Sequence, residues 1–224
     1  MSGKLYLVST PIGNYDDITL RALNVLKDCD IIICEEFKEA KRLLSHYQIQ
    51  KELYSINEHN EKENSQEILY KLLEGKNLAL ISDCGTPLFS DPGSFLTSLC
   101  ISQKIEVVPV PGANSLLPAL IMSGFDTDKF YFAGWLSPKK EERRVELLKL
   151  KAIKEVLVIY DTPYRLKSVL LDIVKIIGKN VNVCLAYNIT LKTEKYYHCT
   201  AQELLTKAES QIPKGEYVLL INNK

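Results

Sequence analysis

The chain has 224 residues, 28 Lys+Arg against 28 Asp+Glu, and is 46% hydrophobic and 25% charged. That length fits one large α/β domain or two small ones with a full core, and the composition excludes a disordered chain, a collagen-like repeat and a disulfide mini-protein. Zero net charge argues against coating nucleic acid by bulk charge, because phosphate neutralisation needs Lys and Arg in at least local excess.

Short apolar runs alternate with amphipathic stretches along the whole chain. The first runs, Leu5–Val8 and Ile31–Cys34, are continuous in hydrophobicity, as strands covered on both faces should be. Between them Asp17-Ile18-Thr19 caps a predicted helix carrying Leu20, Leu23 and Leu26 on one face. Lys38, Lys41 and Arg42 share a helix after the second run. The helical pattern over Ser65–Glu74 stops at Gly75, a residue suited to the C′ position. Strands are predicted at Leu78–Ile81 and Val107–Val110, then a helix at Leu116–Met122.

The turn-rich stretch Ser123–Asp128 sets a domain boundary, giving domains 1–123 and 124–224. Beyond it come strands at Phe130–Ala133, Val156–Tyr160, Val183–Ala186 and Tyr217–Ile221, with helices at Glu141–Lys151 and Tyr164–Ile177. Lys192–His198 reads as an extra antiparallel strand, making the second half a mixed sheet. The alternation predicts an α/β fold with mainly parallel sheets.

The six cysteines include no C-x-x-C pair and read as small buried hydrophobes, so no metal site is expected. No charged n-region precedes an apolar run, and no run reaches the ~18 residues of a membrane span, so the expected location is the cytoplasm.

Functional residues in open α/β sheets collect beyond the carboxyl ends of strands. Three such loops combine Gly and Pro with small hydroxyl or amide side chains: Ser9–Asn14, Ser82–Gly93 and Pro109–Ser115. Together they point to a binding cleft that a ligand approaches through backbone groups. There is no G-x-G-x-x-G and no G-x-x-x-x-G-K-[ST], so neither the dinucleotide fingerprint nor the Walker loop forms that cleft.

The runs LYLVSTPIGN at 5–14, DITLRAL at 17–23, SDCGTPLFSDPG at 82–93 and PVPGANS at 109–115 resemble the tetrapyrrole methylase superfamily. Within it they most resemble the branch that methylates a ribose 2′-oxygen of 16S ribosomal RNA. The likeness is nearly continuous over residues 4–135 and looser around 160–165 and 215–219. It implies a two-domain α/β homodimer with S-adenosylmethionine held between the domains. Carried over by position, Pro11, Ile12 and Gly13 floor that cleft, Asp83, Thr86, Pro87 and Phe89 flank the cofactor, and Gly112, Ala113, Asn114 and Ser115 offer it backbone contacts. In the second domain Tyr160, Ala186 and Tyr187 occupy the corresponding strand ends.

The sequence departs from the branch on the presumed acceptor side. Glu35-Glu36-Phe37-Lys38 keeps only part of an acid-acid-Thr-Arg pattern, and Ser55–Glu61, Asp161–Arg165 and Asn188–Leu191 are altered. A C-terminal extension present in many members is lacking. A tetrapyrrole acceptor, or cofactor binding without catalysis, therefore stays open beside RNA methylation.

A ribose hydroxyl is a poor nucleophile and benefits from a general base. Glu35 and Glu36 are candidates at a strand end, His59 because neutral imidazole is the side chain closest to a base at neutral pH, and Glu58 and Asp161 as further carboxylates. For a polyanionic substrate, Lys139, Lys140, Arg143 and Arg144 beside Trp135, together with Arg165, form the preferred basic cluster over the one at Lys38–Arg42.

Overall fold

The computed structural model describes residues 2–89 and 91–224. Two compact units divide the chain, one ending at Asn114 and the other starting at Ser115. The seam thus falls ahead of the 116–122 helix, whereas the sequence set it behind that helix.

In the first unit β1 (Leu5–Val8), α1 (Leu20–Asp28), β2 (Ile31–Cys34), α2 (Phe37–His46) and β3 (Glu52–Ser55) come first. They are followed by α3 (Glu61–Leu73), β4 (Leu78–Ile81), α4 (Ser94–Ser102) and β5 (Val107–Val110). The strands form one sheet in the order β3-β2-β4-β1-β5, parallel throughout. Period-two alternation sorts their side chains. Leu5, Ile31, Ile33, Leu78 and Leu80 pack against Ile68 and Leu72 of α3 and Leu96 of α4. Val8, Ile32, Ala79 and Ile81 meet Leu26 of α1 and Leu43 and Leu44 of α2 on the other face. Covering both faces is what continuous apolar strands require. The Thr19 side chain accepts the Ala22 N–H at 3.1 Å and so starts α1.

The second unit contains α5 (Leu116–Met122), β6 (Phe130–Trp135), α6 (Lys140–Lys151), β7 (Val156–Asp161) and α7 (Leu166–Ile176). After them come β8 (Asn182–Tyr187), β9 (Lys195–Thr200), α8 (Ala201–Ser210) and β10 (Tyr217–Asn222). Its sheet runs β6-β7-β10-β8-β9; only β6 and β7 are parallel, and the other three pairings are antiparallel. The expected mixed sheet is therefore present, but the expectation of mainly parallel pairing holds only in the first unit. Leu157, Ile159, Val183, Leu185, Leu219 and Ile221 face α6, α7 and α8. Tyr160, Val218 and Ala186 form one cross-strand row, and Asp161, Tyr217 and Tyr187 form the next, which points to the opposite face.

Four cysteines are buried as expected, Cys199 is half-buried, and Cys84 is exposed in the loop after β4. Among the described residues no helix is long and apolar enough to cross a membrane.

Candidate functional site

Because β1 lies between β4 and β5, the three Gly/Pro loops leave neighbouring strand ends. The chain order also reverses around β1, which is where open α/β sheets hold ligands. The loops are laced together. Thr10 donates its N–H to the Gly85 carbonyl at 2.8 Å and its hydroxyl to the Ser82 carbonyl at 3.0 Å, and accepts the Gly85 N–H at 3.2 Å. The Thr86 hydroxyl lies 3.1 Å from Ser9 Oγ and donates to the Ala113 carbonyl at 3.3 Å, joining all three loops through one side chain.

Two glycines permit this approach. Gly85 has φ of 93°, and a Cβ there would meet Ile12 Cγ2 at 3.2 Å; a Cβ on Gly112 would lie 2.9 Å from Ser9 Cβ. Pro11 and Pro87 are buried beneath the loops, and Ile12, Thr86, Gly112, Ala113 and Asn114 are half-buried. Gly13, Asp83 and Phe89 are exposed. The structure thus gathers the first unit's proposed cofactor residues on one sheet end. Ser90 of the same motif lies outside the described residues.

A positioning residue that sequence reasoning missed is Glu61. From the start of α3 its Oε1 accepts the N–H groups of Gly93 (3.0 Å) and Phe95 (2.7 Å), capping α4 and anchoring the far end of the 82–93 loop. The preceding turn is fixed by reciprocal bonds: Asn57 Oδ1 accepts the His59 and Asn60 N–H groups, and Asn60 Oδ1 accepts the Asn57 N–H. The altered Ser55–Glu61 motif therefore shapes this turn, and His59 is exposed on it.

Beside the loops stands a group of acids. Partial burial pushes the Glu35 carboxyl above its ordinary value, and the charges of Asp83, Asp91, Glu36 and Glu58 push it further. Asp83 is also raised, first by desolvation, although it accepts the Glu36 N–H at 3.3 Å. Burial raises Asp91, whose Oδ2 is enclosed with no hydrogen-bond partner among the described residues. A cationic ligand would relieve this mutual repulsion, so the residues present fit the sulfonium and ammonium charges of S-adenosylmethionine. Glu36 is exposed at the N-cap of α2.

The second unit's candidates lie differently. Tyr160 is held by a 2.8 Å hydrogen bond to Ser115 Oγ and by the edges of Phe132 and Trp135. Ala186 is fully buried on the same sheet face. Tyr187 points the other way into the helix-covered core, its hydroxyl donating to the Lys214 carbonyl, so its side chain does not join Tyr160. Asp161 lies in that same row, buried with Arg165 Nε 3.2 Å away; burial still raises its carboxyl above the ordinary value, and its Oδ2 has no hydrogen-bond partner among the described residues.

The preferred basic cluster is largely engaged by its own unit, though Lys139 and Lys140 are exposed. Arg143 is buried, donating to Asp172 Oδ2 from Nε (3.0 Å) and Nη2 (2.7 Å) and to the Ser137 and Pro138 carbonyls. Arg144 pairs with Asp172 and Glu141, and Lys139 with Glu142. Arg165 braces the Leu136 and Ser137 carbonyls. Of the five residues only Lys140 has no such partner among the described residues, and only Arg143 is buried.

This two-unit α/β chain, with its glycine-joined loops on the first sheet, belongs to the tetrapyrrole (corrin/porphyrin) methylase family, whose model matches residues 4–205. Its relatives include ribosomal RNA small subunit methyltransferase I of Thermotoga maritima, 41% identical over 99% of both chains. The protein of that name from Escherichia coli O157:H7 is 40% identical over 98% of this chain and 77% of its own. Among solved structures, a diphthine synthase matches with a TM-score of 0.77 at 12% identity, covering 98% of this chain and 89% of that one. Uroporphyrin-III C-methyltransferase from Thermus thermophilus, complexed with S-adenosylhomocysteine, matches with a TM-score of 0.69 at 16% identity over 97% of each chain. At these identities the structural likeness concerns the fold.

Proposed function

We propose that this methylase transfers a methyl group from S-adenosylmethionine to a ribose 2′-oxygen of 16S ribosomal RNA in the small subunit. The observation that carries the reading is the lacing of the three loops through Thr86, beside a cluster of mutually repelling carboxylates. Relatives at about 40% identity that bear a ribosomal RNA name favour this acceptor over a tetrapyrrole. The cofactor supplies a methyl group on a sulfonium, a good leaving group for in-line displacement.

The chain's own residues align and deprotonate. Pro11, Ile12, Gly13, Thr86, Pro87, Gly112, Ala113 and Asn114 form a pre-organised rim, so little ordering is needed when a ligand arrives. Asp83 and Phe89 face solvent at its border. Glu35 is the general base of this reading. At the end of β2 and half-buried, it accepts the hydroxyl proton as the oxygen–methyl bond forms and the sulfonium–methyl bond breaks.

The edge strand β6 leaves Phe130, Tyr131 and Trp135 exposed, an apolar border suited to a second copy of the chain and hence to a homodimer. Light scattering on the purified protein checks that point. For the activity, small subunits from a deletion strain are incubated with protein and labelled cofactor, and the modified nucleotide is mapped. Label on a ribose 2′-oxygen supports the reading; label found only on added precorrins refutes it.

A further inference from the structure

Arg143 and Arg144 of the Lys139–Arg144 cluster are held by Asp172, so a second basic surface is of interest for RNA. On the first unit, α2 and the edge strand β3 wall an open groove of about 760 Å³. Leu44, Ile49 and Leu53 form its apolar floor, and Lys41 and Lys51 stand on its sides. Phe37, Lys41, Leu44 and Ser45 lie at helical spacing, so one stripe of α2 faces the groove along about 12 Å, and Gln48 lines it just beyond the helix end.

Phe37 starts that stripe with an exposed ring only two residues beyond Glu35, so the groove opens at the end of β2. Lys41 sits over the Phe37 ring, its ammonium 6.0 Å from the centroid. Glu39, the acid on this helix, is paired with Arg42. Among the described residues neither Lys41 nor Lys51 belongs to an ion pair. The groove therefore joins an aromatic side chain, two cations outside any ion pair and the amides of Gln48 and Gln50 over an apolar floor. A single-stranded nucleic acid meets those groups with base faces, phosphates and base edges respectively.

We infer that the α2–β3 groove binds single-stranded RNA flanking the methylated nucleotide, with a base stacked on Phe37 and phosphates on Lys41 and Lys51. This rests on the RNA methyltransferase reading above and deepens it: RNA lying along the stripe is delivered to the strand end that carries Glu35. The charge argues for RNA over a peptide strand paired on the open edge of β3, because a neutral peptide leaves both lysines unanswered.

The test compares wild-type protein with the Lys41→Gln/Lys51→Gln double variant and with Phe37→Ala. Circular dichroism and S-adenosylhomocysteine calorimetry serve as controls, since none of the three residues belongs to the cofactor loops. Affinity for small subunits from a deletion strain is measured from low to moderate salt, together with KM and kcat for methyl transfer. The double variant should raise KM and flatten the plot of log K against log salt by about 1.4, the loss of two single-strand phosphate contacts. Phe37→Ala should weaken binding roughly tenfold with the salt slope unchanged. Wild-type protein that methylates RNA, alongside variants matching it in KM and salt slope, overturns the groove assignment alone and hands the groove to another occupant such as a peptide. Wild-type protein that binds S-adenosylhomocysteine but neither binds nor methylates RNA overturns the functional reading and the groove with it.

Discussion

Replacing Asp172 with alanine should destabilise the second unit far more than removal of a surface carboxylate. The carboxylate accepts two bonds from Arg143 and a third, at 3.0 Å, from Arg144, and the paired side chains of Arg143 and Asp172 are 5% and 3% exposed. Breaking a buried pair from one side costs about 3–5 kcal/mol, chiefly because the abandoned charge stays buried. Here the Ser137 and Pro138 carbonyls continue to accept from Arg143 Nη1, so the lower end, about 3 kcal/mol, is expected. Trp135, the only tryptophan, lies in β6 and reports unfolding of this unit. At an m-value of about 1.5 kcal/mol/M, its fluorescence midpoint in urea should fall by about 2 M. Replacing both partners together, Arg143→Met with Asp172→Leu, should recover most of the loss.

The pH dependence carries a definite sign. Burial alone would raise the Asp172 pKa, but the hydrogen bonds and charges of Arg143 and Arg144 outweigh it and hold the carboxyl below its ordinary 3.8. Its contribution is thus complete above that value and is lost as pH falls through the depressed folded one. The gap between wild type and Asp172→Ala should shrink only in that acidic window. A variant within about 0.5 kcal/mol of wild type at neutral pH would mean that the pair is worth no more than a surface one, and the burial argument would fail.

Thr86→Arg should abolish S-adenosylhomocysteine binding in calorimetry while the circular dichroism spectrum is kept; wild-type affinity in the folded variant would displace the cofactor from these loops. Glu61→Ala removes the acceptor for two N–H groups and should weaken that binding about tenfold through the 82–93 loop, with melting temperature and affinity measured together. Gly93→Ala should cost about 1–3 kcal/mol in a urea melt, because φ is 116° and the added Cβ would lie 2.7 Å from Leu80 Cδ2. Glu35 binds its proton more tightly folded than unfolded, so stability falls as pH rises past its ordinary 4.5. Glu35→Gln should therefore raise the melting temperature at pH 7.5 and lose that advantage at pH 4.

Much of the fold is written in local pattern. The first four anticipated strands lie at the residues observed, because each is a short apolar run, β2 and β4 buried throughout. The edge strand β3 gave no comparable signal: Glu52-Leu53-Tyr54-Ser55 is partly exposed and half polar. The helix α4 gave none either, because its apolar residues, interleaved with Ser and Thr and without a charge, mark no single face. The cofactor loops were legible because glycine and proline mark unusual backbone geometry within a few residues. The roles of Arg143 and Glu61 were not, since their partners, Asp172 and the N–H groups of Gly93 and Phe95, lie about 30 residues away in sequence and meet them only after folding.

The strand order also fixes when the first sheet can be completed. Leu5 pairs with Leu78 on one side and Val107 on the other, so β1 waits for partners made about 70 and 100 residues later. At roughly 5–20 residues per second of synthesis that is a delay of about 4 to 20 s, during which an apolar strand bound for the sheet centre has neither neighbour. Of the first unit's strand pairings only β2 with β3 is close in sequence, so the pairing with the smallest loop-closure cost lies at the edge that walls the α2–β3 groove. Substitutions that slow the docking of β1 should therefore lower the yield of folded protein synthesised in vivo more than they lower the equilibrium stability of molecules already folded.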